Sequence, residues 1–138
     1  MTLFGETVKE VRMQVLVVDD SMVARNIIKN VLHPMGYEVL QAANGQEALD
    51  ILKTQSEGIT LMLLDWNMPV LNGIDTLKAV RQQKQCDHIQ ILMVSTESED
   101  DYINRAIKAG ANGYLPKPFT PEELADKISS TVKRPGAK

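Results

Sequence analysis

Short apolar runs alternate with amphipathic stretches along almost the whole chain. Most of these runs are rich in leucine or β-branched residues, which is typical of strands buried on both faces of a parallel sheet. Five strands are predicted, at residues 14–18, 37–42, 59–64, 89–94 and 113–115.

An amphipathic stretch with apolar side chains at helical spacing follows each strand. The predicted helices lie at about residues 21–36, 46–53, 74–81, 100–109 and 120–132. Gly36 and Gly110 stand where a left-handed residue commonly ends a helix, and Thr120 with Glu123 forms a capping box. The five strand–helix units predict an α/β domain with right-handed crossovers and a mostly parallel sheet covered by helices on both faces.

The two ends of the chain lie outside this pattern. We expect residues 1–12 to be an N-terminal extension, either a flexible arm or a helical turn, and residues 13–133 to be the folded domain. Residues 134–138 are expected to be a tail, compatible with a terminus or with the start of a linker.

The composition fits one soluble globular domain. Of the 138 residues, 43% are hydrophobic and 24% charged, and no apolar run approaches the ~20 residues that a membrane span requires. A net charge of −3 without a basic cluster argues against nucleic-acid binding. The single Cys86 and the lack of a signal-peptide pattern favour a reducing, cytoplasmic location.

Polar residues follow the predicted strands at their carboxyl ends. Asp19 and Asp20 end the first strand, Asp65 ends the third, Ser95 ends the fourth, and Lys117 follows the fifth. Ligands of open α/β sheets bind at this edge, so we expect the five side chains to converge there. Singly, a strand-end Asp is often a helix cap, and a lone Ser or Lys is usually a turn or surface residue. Their joint placement favours a site.

Three neighbouring carboxylates repel one another unless a cation lies among them. Oxygen ligands suit Mg²⁺, whereas the chain has no His/Cys cluster for zinc. A phosphoryl group is a fitting ligand for such a centre, with Lys117 supplying a second positive charge.

Five ordered motifs resemble those of the receiver domain of two-component response regulators, and most closely those of the free-standing chemotaxis regulators. They are Val17–Ser21, Leu64–Pro69 with Gly73, Ser95, Lys108–Ala111 and Tyr114–Phe119. The resemblance covers about residues 13–133. It implies a flavodoxin-like, doubly wound (βα)5 fold, a three-layer sandwich whose five-stranded parallel sheet has the order 2-1-3-4-5.

The resemblance also implies a chemistry for the strand-end residues. Asp65 is expected to accept a phosphoryl group from a sensor histidine kinase or a histidine phosphotransfer protein. Asp20, Asp65 and the backbone carbonyl of Asn67 are expected to bind Mg²⁺ directly, and Asp19 largely through water. Lys117 is expected to pair with the phosphoryl group.

Ser95 and Tyr114 are the switch residues that the resemblance implies. The Ser95 hydroxyl is expected to swing toward the phosphoryl group, and Tyr114 to follow it inward. This movement changes the surface formed by the fourth helix, the fifth strand and the fifth helix. The expected partner at this surface is a target such as a flagellar motor switch component. A phosphatase is a further expected partner of the domain.

Three further residues are expected to control phosphoryl access and dephosphorylation. Asn67 and Glu97 match the chemotaxis-type receivers at these positions, whereas Thr96 replaces the small alanine that is usual in the family. The resemblance also implies a cis peptide bond between Lys117 and Pro118.

Two variants of the receiver interpretation remain open at this point, and two other classes of protein compete with it. The chain is either a stand-alone chemotaxis regulator or a receiver module of a phosphorelay or of a larger regulator whose effector domain is missing. From a different class, an Mg²⁺-dependent aspartyl-nucleophile phosphatase also uses a strand-end Asp, but it needs a second Asp where this chain has Asn67. A flavodoxin shares the fold but needs a Ser/Thr/Gly-rich phosphate loop after its first strand.

Overall fold

Five parallel strands form the central sheet of the computed structural model, which describes residues 2–3, 6–7 and 13–132. The strands are β1 (Gln14–Val18), β2 (Glu38–Ala42), β3 (Ile59–Leu64), β4 (Gln90–Ser95) and β5 (Gly113–Pro116). Their order is β2-β1-β3-β4-β5, and every neighbouring pair is parallel. The expected fold and strand order are therefore confirmed.

Five α-helices connect the strands. They are α1 (Met22–Leu32), α2 (Gly45–Gln55), α3 (Gly73–Arg81), α4 (Asp100–Ala109) and α5 (Pro121–Thr131). A 3₁₀ turn, His33–Met35, continues α1 up to the left-handed Gly36, and Gly110 ends α4 in the same conformation. The capping box of Thr120 and Glu123 is present at the start of α5.

Four strand boundaries differ from the prediction. Strands β4 and β5 end one residue later than predicted, at Ser95 and Pro116, and β2 and β4 also begin one residue later. The two later starts have a common reason. The backbone N–H groups of Tyr37 and Ile89 bond to Leu32 and Cys86 in the preceding turns. They complete these turns, so the ladders of β2 and β4 begin one residue later, at Glu38 and Gln90.

The described part of the N-terminal extension is extended. Thr2–Leu3 and Glu6–Thr7 pair as antiparallel strands in a separate two-stranded sheet, so these residues do not form the helical turn that we considered. The rest of the extension and residues 133–138 lie outside the described residues.

Two hydrophobic clusters lie on the two faces of the sheet. Along β1 the side chains alternate between them, since Leu16 and Val18 belong to the cluster shared with α2, α3 and α4, whereas Val15 and Val17 face α1 and α5. All four side chains are fully buried, which explains the uninterrupted apolar run of this central strand. This arrangement is the predicted three-layer sandwich. None of the helices among the described residues is long and apolar enough to cross a membrane.

The loop between β3 and α3 contains a backbone outlier. Val70 has a φ of +71°, in the left-handed region that β-branched residues avoid, and its side chain is 79% exposed. Such a small contact area offers little compensation for the unfavourable backbone conformation.

Replacing Val70 by asparagine, which tolerates the left-handed region, is expected to raise the free energy of unfolding by about 1 kcal/mol. Urea denaturation measures this difference. The matched control is Val23→Asn, because Val23 is also exposed but lies in the regular helix α1, where no such gain is expected. A Val70→Asn protein that is no more stable than the parent would show that the loop is not strained.

Candidate functional site

The carboxyl edge of the sheet holds two aspartates in fixed backbone positions. The N–H of Asp19 donates to Ala42 of β2, and the N–H of Asp65 donates to Val18 of β1, at 3.1 and 3.0 Å. These bonds continue the sheet by one residue beyond the strands. As a result, both carboxyl groups emerge side by side from neighbouring strands.

Three carboxylates meet at this edge. One oxygen each from Asp19, Asp20 and Asp65 lies within 4.8 Å of the other two. Asp19 and Asp65 are largely buried, whereas Asp20 is exposed. The donor set consists of hard oxygens alone and one side of it is open, which fits Mg²⁺ with some of its water ligands retained.

Lys117 brings a positive charge into this cluster. Its Nζ donates to Asp19 Oδ2 at 2.7 Å and lies 3.4 Å from Asp65 Oδ2. The Lys117 backbone N–H donates to the Ser95 carbonyl at 2.8 Å, so β4 fixes the start of the turn that carries the ammonium group. The peptide bond between Lys117 and Pro118 is cis, as the resemblance implied.

The pKa values of Asp65 and Lys117 are both raised, although for different reasons. Burial, with a contribution from the Asp19 carboxylate, raises the pKa of Asp65, and Lys117 offsets only part of this effect. Burial alone would lower the pKa of Lys117, but its bonds to the Asp19 and Asp65 carboxylates prevail and raise it. The ammonium group thus remains charged between two acids.

Asp19 divides its two carboxylate oxygens between different partners. Oδ2 bonds to Lys117, and Oδ1 accepts the backbone N–H of Ser21 at 2.8 Å. Ser21 itself caps α1, and Arg25 donates to the Asp19 carbonyl at 2.7 Å. The N-cap of α1 is therefore Ser21 and not Asp19. One oxygen of Asp19 holds the N–H of that cap residue, while the other faces the cluster.

The backbone after Asp65 is packed closely against the start of α3. Trp66 N–H donates to Asp65 Oδ1 at 2.7 Å, and the Trp66 carbonyl accepts the N–H of Gly73, also at 2.7 Å. A Cβ atom at Gly73 would lie 2.1 Å from the Asp65 carbonyl oxygen, so only glycine fits there. Gly73 thereby fixes the peptide that orients the Asp65 carboxyl group.

Hydrogen bonds connect the remaining predicted residues beside the carboxylate cluster. The buried Ser95 hydroxyl accepts the Glu97 N–H at 3.1 Å, which folds the chain around the exposed Thr96. Asn67 Nδ2 donates to Glu97 Oε2 at 2.9 Å, so the end of β3 is joined to the loop after β4.

Tyr114 lies inside the protein. It is only 8% exposed, and its hydroxyl donates to the Glu97 backbone carbonyl. Burial raises the pKa of this hydroxyl, an effect that its hydrogen bond with Ser95 partly offsets.

The structure brings Asp19, Asp20, Asp65 and Lys117 into one cluster, as their strand-end positions predicted. It places the other predicted residues in the adjoining hydrogen-bond network, apart from Thr96, for which it records only exposure. The roles assigned to these residues remain predictions. Sequence reasoning missed Arg25, which supports Asp19 and carries no local signal beyond its helical position.

Comparison with known proteins identifies the family. Residues 15–129 match the response regulator receiver domain family. The chain belongs to this family, whose members are signalling modules and not classical enzymes.

Within the family the chain is similar to chemotaxis regulators. It is 44% identical over 121 residues to the chemotaxis protein CheY homolog of Campylobacter jejuni, covering 87% of this chain and 92% of that protein. The structure of the chemotaxis response regulator CheY4 of Vibrio cholerae matches with a TM-score of 0.82 and 37% identity, over 88% of this chain and 99% of that one.

A larger regulator contains a similar domain. A structure named as a two-component system response regulator/GGDEF domain protein matches with a TM-score of 0.81 and 32% identity. The match covers 88% of this chain but only 49% of that chain. The same receiver fold therefore occurs both alone and joined to a second domain.

The raised pKa of Asp65 predicts a pH-dependent effect of Asp65→Asn in metal-free buffer. The fold favours the protonated carboxyl; this stabilisation is full below the ordinary pKa of 3.8 and is lost as the pH rises through the raised value. Asparagine mimics the protonated form at every pH. We therefore expect Asp65→Asn to be more stable than the parent at neutral pH, with a difference that shrinks as the pH falls.

Urea denaturation of both proteins across this pH range, with EDTA present, measures the difference. Asp75→Asn is the control, because Asp75 is exposed at the start of α3 and lies outside the cluster. A difference between Asp65→Asn and the parent that stays constant with pH would contradict the assignment.

Proposed function

We propose that this receiver domain is a switch activated by phosphorylation of Asp65. The observation that carries the proposal is the Lys117 ammonium, which lies 2.7 Å from Asp19 and 3.4 Å from Asp65 at the edge where three carboxylates meet. Such a cluster combines a nucleophilic oxygen, a fixed cation and a set of metal ligands. These are the elements that phosphoryl transfer requires.

In the proposed reaction, an Asp65 carboxylate oxygen attacks the phosphorus of a phosphohistidine. The new O–P bond forms as the N–P bond breaks, and the imidazole nitrogen leaves with the electron pair and takes up a proton. Lys117 needs only a small displacement from Asp65 to pair with a phosphoryl oxygen, because it already lies between the two acids. The Trp66 N–H holds the other oxygen of Asp65 in place.

The donor atoms of the cluster fit Mg²⁺, and we assign Asp20, Asp65 and the backbone carbonyl of Asn67 as direct ligands. When bound, the ion neutralises negative charge on the carboxylates and the phosphoryl oxygens. Asp19 is left to act through water, since the protein already occupies both of its oxygens.

The proposed output is a change of the surface formed by α4, β5 and α5. Ser95 and Tyr114 are the switch residues in this scheme. The hydroxyl group of each forms a hydrogen bond with the backbone of Glu97, which lies in the loop before α4. Tyr114 is buried, however, so it contributes little surface to a partner directly. We propose that it acts through the hydrogen bond that its hydroxyl group donates to the Glu97 carbonyl.

The partners follow from the same proposal. A sensor histidine kinase or a histidine phosphotransfer protein supplies the phosphoryl group in the cytoplasm, and a phosphatase removes it. The similarity to CheY proteins favours a chemotaxis target such as a flagellar motor switch component. The match to half of a larger regulator supports the second candidate, a receiver module that acts through another domain. The phosphatase alternative gains no support, because Asn67 occupies the place of its second acid and bonds to Glu97.

Trp66 provides a direct test of the proposed phosphorylation. It is the only tryptophan in the chain and adjoins Asp65, so Mg²⁺, and then acetyl phosphate or beryllofluoride, should change its fluorescence. Asp65→Asn should abolish the response to the phosphodonor. A parent protein that responds to neither reagent would overturn the proposal, and steady turnover of an external phosphoester would favour a phosphatase.

Thr96 is expected to slow reactions at Asp65. It is exposed in the turn between Ser95 and Glu97, and the proposal is that its branched side chain narrows the approach to the site. Thr96→Ala should therefore be phosphorylated by acetyl phosphate, or lose its phosphoryl group, faster than the parent.

Stopped-flow fluorescence of Trp66 measures both rates. Ser98→Ala is the control, because Ser98 is also exposed in this loop but lies outside the proposed access residues. Equal rates for Thr96→Ala and the parent would reject the steric role of Thr96.

A further inference from the structure

A cluster of two aromatic rings and one cation joins the residue after Asp65 to α4. The rings of Trp66 and Tyr102 meet edge to face, with centroids 5.0 Å apart and planes at 82°. The Arg105 guanidinium lies over both rings, 5.3 Å from the centroid of Trp66 and 5.8 Å from that of Tyr102. Both distances are in the range of favourable cation–π contacts.

Trp66 is tied to the chemical state of Asp65 through its backbone. Its N–H donates to Asp65 Oδ1, and its carbonyl accepts from Gly73 at the start of α3. A bond from Asp65 to phosphorus, or to beryllium, changes the charge on the carboxyl oxygens and thus the strength of the Trp66 N–H bond. The position of the indole ring, which is only 5% exposed, is therefore sensitive to that bond.

Arg105 and Tyr102 contact the Trp66 ring from the side of α4. Both belong to α4, and the Arg105 side chain is exposed apart from its contact with the rings. The cluster runs from β3 directly to α4. Ser95 and Tyr114 reach the same helix from β4 and β5, and Tyr114 packs in the same hydrophobic cluster as Trp66 and Tyr102.

We propose that Arg105 is a positioning residue that holds α4 against Trp66 while Asp65 is unmodified and releases it when Asp65 is phosphorylated. This inference rests on the proposed function, since it requires that Asp65 accept a phosphoryl group. A contact present only in the unmodified form opposes activation, because the phosphoryl group or beryllofluoride must supply the free energy that breaks it. Loss of the contact should therefore make activation easier.

Titration of Trp66 fluorescence with beryllofluoride in the presence of Mg²⁺ tests the proposal. Arg105→Gln should lower the concentration for half-saturation by about two- to fivefold, the factor that corresponds to one exposed cation–π contact. Arg105→Lys keeps a cation over the rings and should stay close to the parent. Lys108→Gln removes an equal charge elsewhere on α4 and should leave the half-saturation unchanged.

The sign of the effect separates the proposal from simple electrostatics. Loss of a positive charge near an anion site weakens anion binding, whereas loss of the proposed contact strengthens it. An unchanged or raised half-saturation for Arg105→Gln would overturn the proposal, as would an equal fall for Lys108→Gln. If Arg105→Gln proves to be unfolded by urea titration, Arg105→Met, which keeps the aliphatic stem, replaces it in the same test.

The fluorescence spectrum supplies a second, independent outcome. Without ligand, Arg105→Gln should differ from the parent in Trp66 emission, because the guanidinium no longer covers the ring. At saturating beryllofluoride the two spectra should coincide, since the contact is then released in both proteins. Spectra that differ equally in both states would show a static contact and overturn the inference. A parent without any beryllofluoride response would instead overturn the proposed function.

Discussion

The ion pairs of Lys117 with Asp19 and Asp65 are the interaction on which the rest of the site depends. Parallel strands β1 and β3 bring their terminal carboxylates to the same edge, where like charges repel each other in a partly buried setting. The ammonium lies 2.7 and 3.4 Å from two of these acids and reduces that repulsion without any ion from solution. Backbone hydrogen bonds hold all three residues in place. The Ser95 carbonyl accepts the Lys117 backbone N–H, and the backbone N–H groups of Asp19 and Asp65 donate to the neighbouring strands.

The net charge that remains after these ion pairs form suits the cluster to the proposed reversible phosphorylation of Asp65. With all groups ionised, three carboxylates and one ammonium leave two negative charges, which one divalent cation neutralises. In the proposed reaction, a phosphoryl group at Asp65 replaces a single negative charge by two, and Lys117 already lies beside that residue. Hydrogen bonds already hold the side chains of Asp19, Asp65 and Lys117 in place. The site is thus preorganised for the charged product.

Much of this arrangement could be predicted because it depends on local pattern and topology. The apolar runs of β1 and β3 mark their own ends, and parallel strands place those ends at one edge, so Asp19 and Asp65 were expected there. That β1 and β3 are direct neighbours followed from the family resemblance, and the structure confirms it. The starts of β2 and β4 were predicted one residue too early, at Tyr37 and Ile89. They depend on hydrogen bonds in the preceding turns, which the pattern of apolar residues does not indicate. Likewise, nothing in the sequence places Arg105 over Trp66, since 39 residues of chain, including β4, separate them. Side-chain contacts between distant elements follow from packing.

Helix α4 is the place where the two connections from Asp65 converge. One runs through the turn after β4, where Ser95 accepts from Glu97 and Tyr114 donates to the Glu97 carbonyl. The other runs from Trp66 to Tyr102 and Arg105 within α4 itself. The first acts at the residues before the helix and the second at its middle. Because Glu99 provides no side-chain cap, the first turn of α4 is held less firmly than that of α1 or α5. A weakly fixed first turn between these two contacts is the physical basis of the proposed transmission from the Asp65 carboxylate to the surface of the domain.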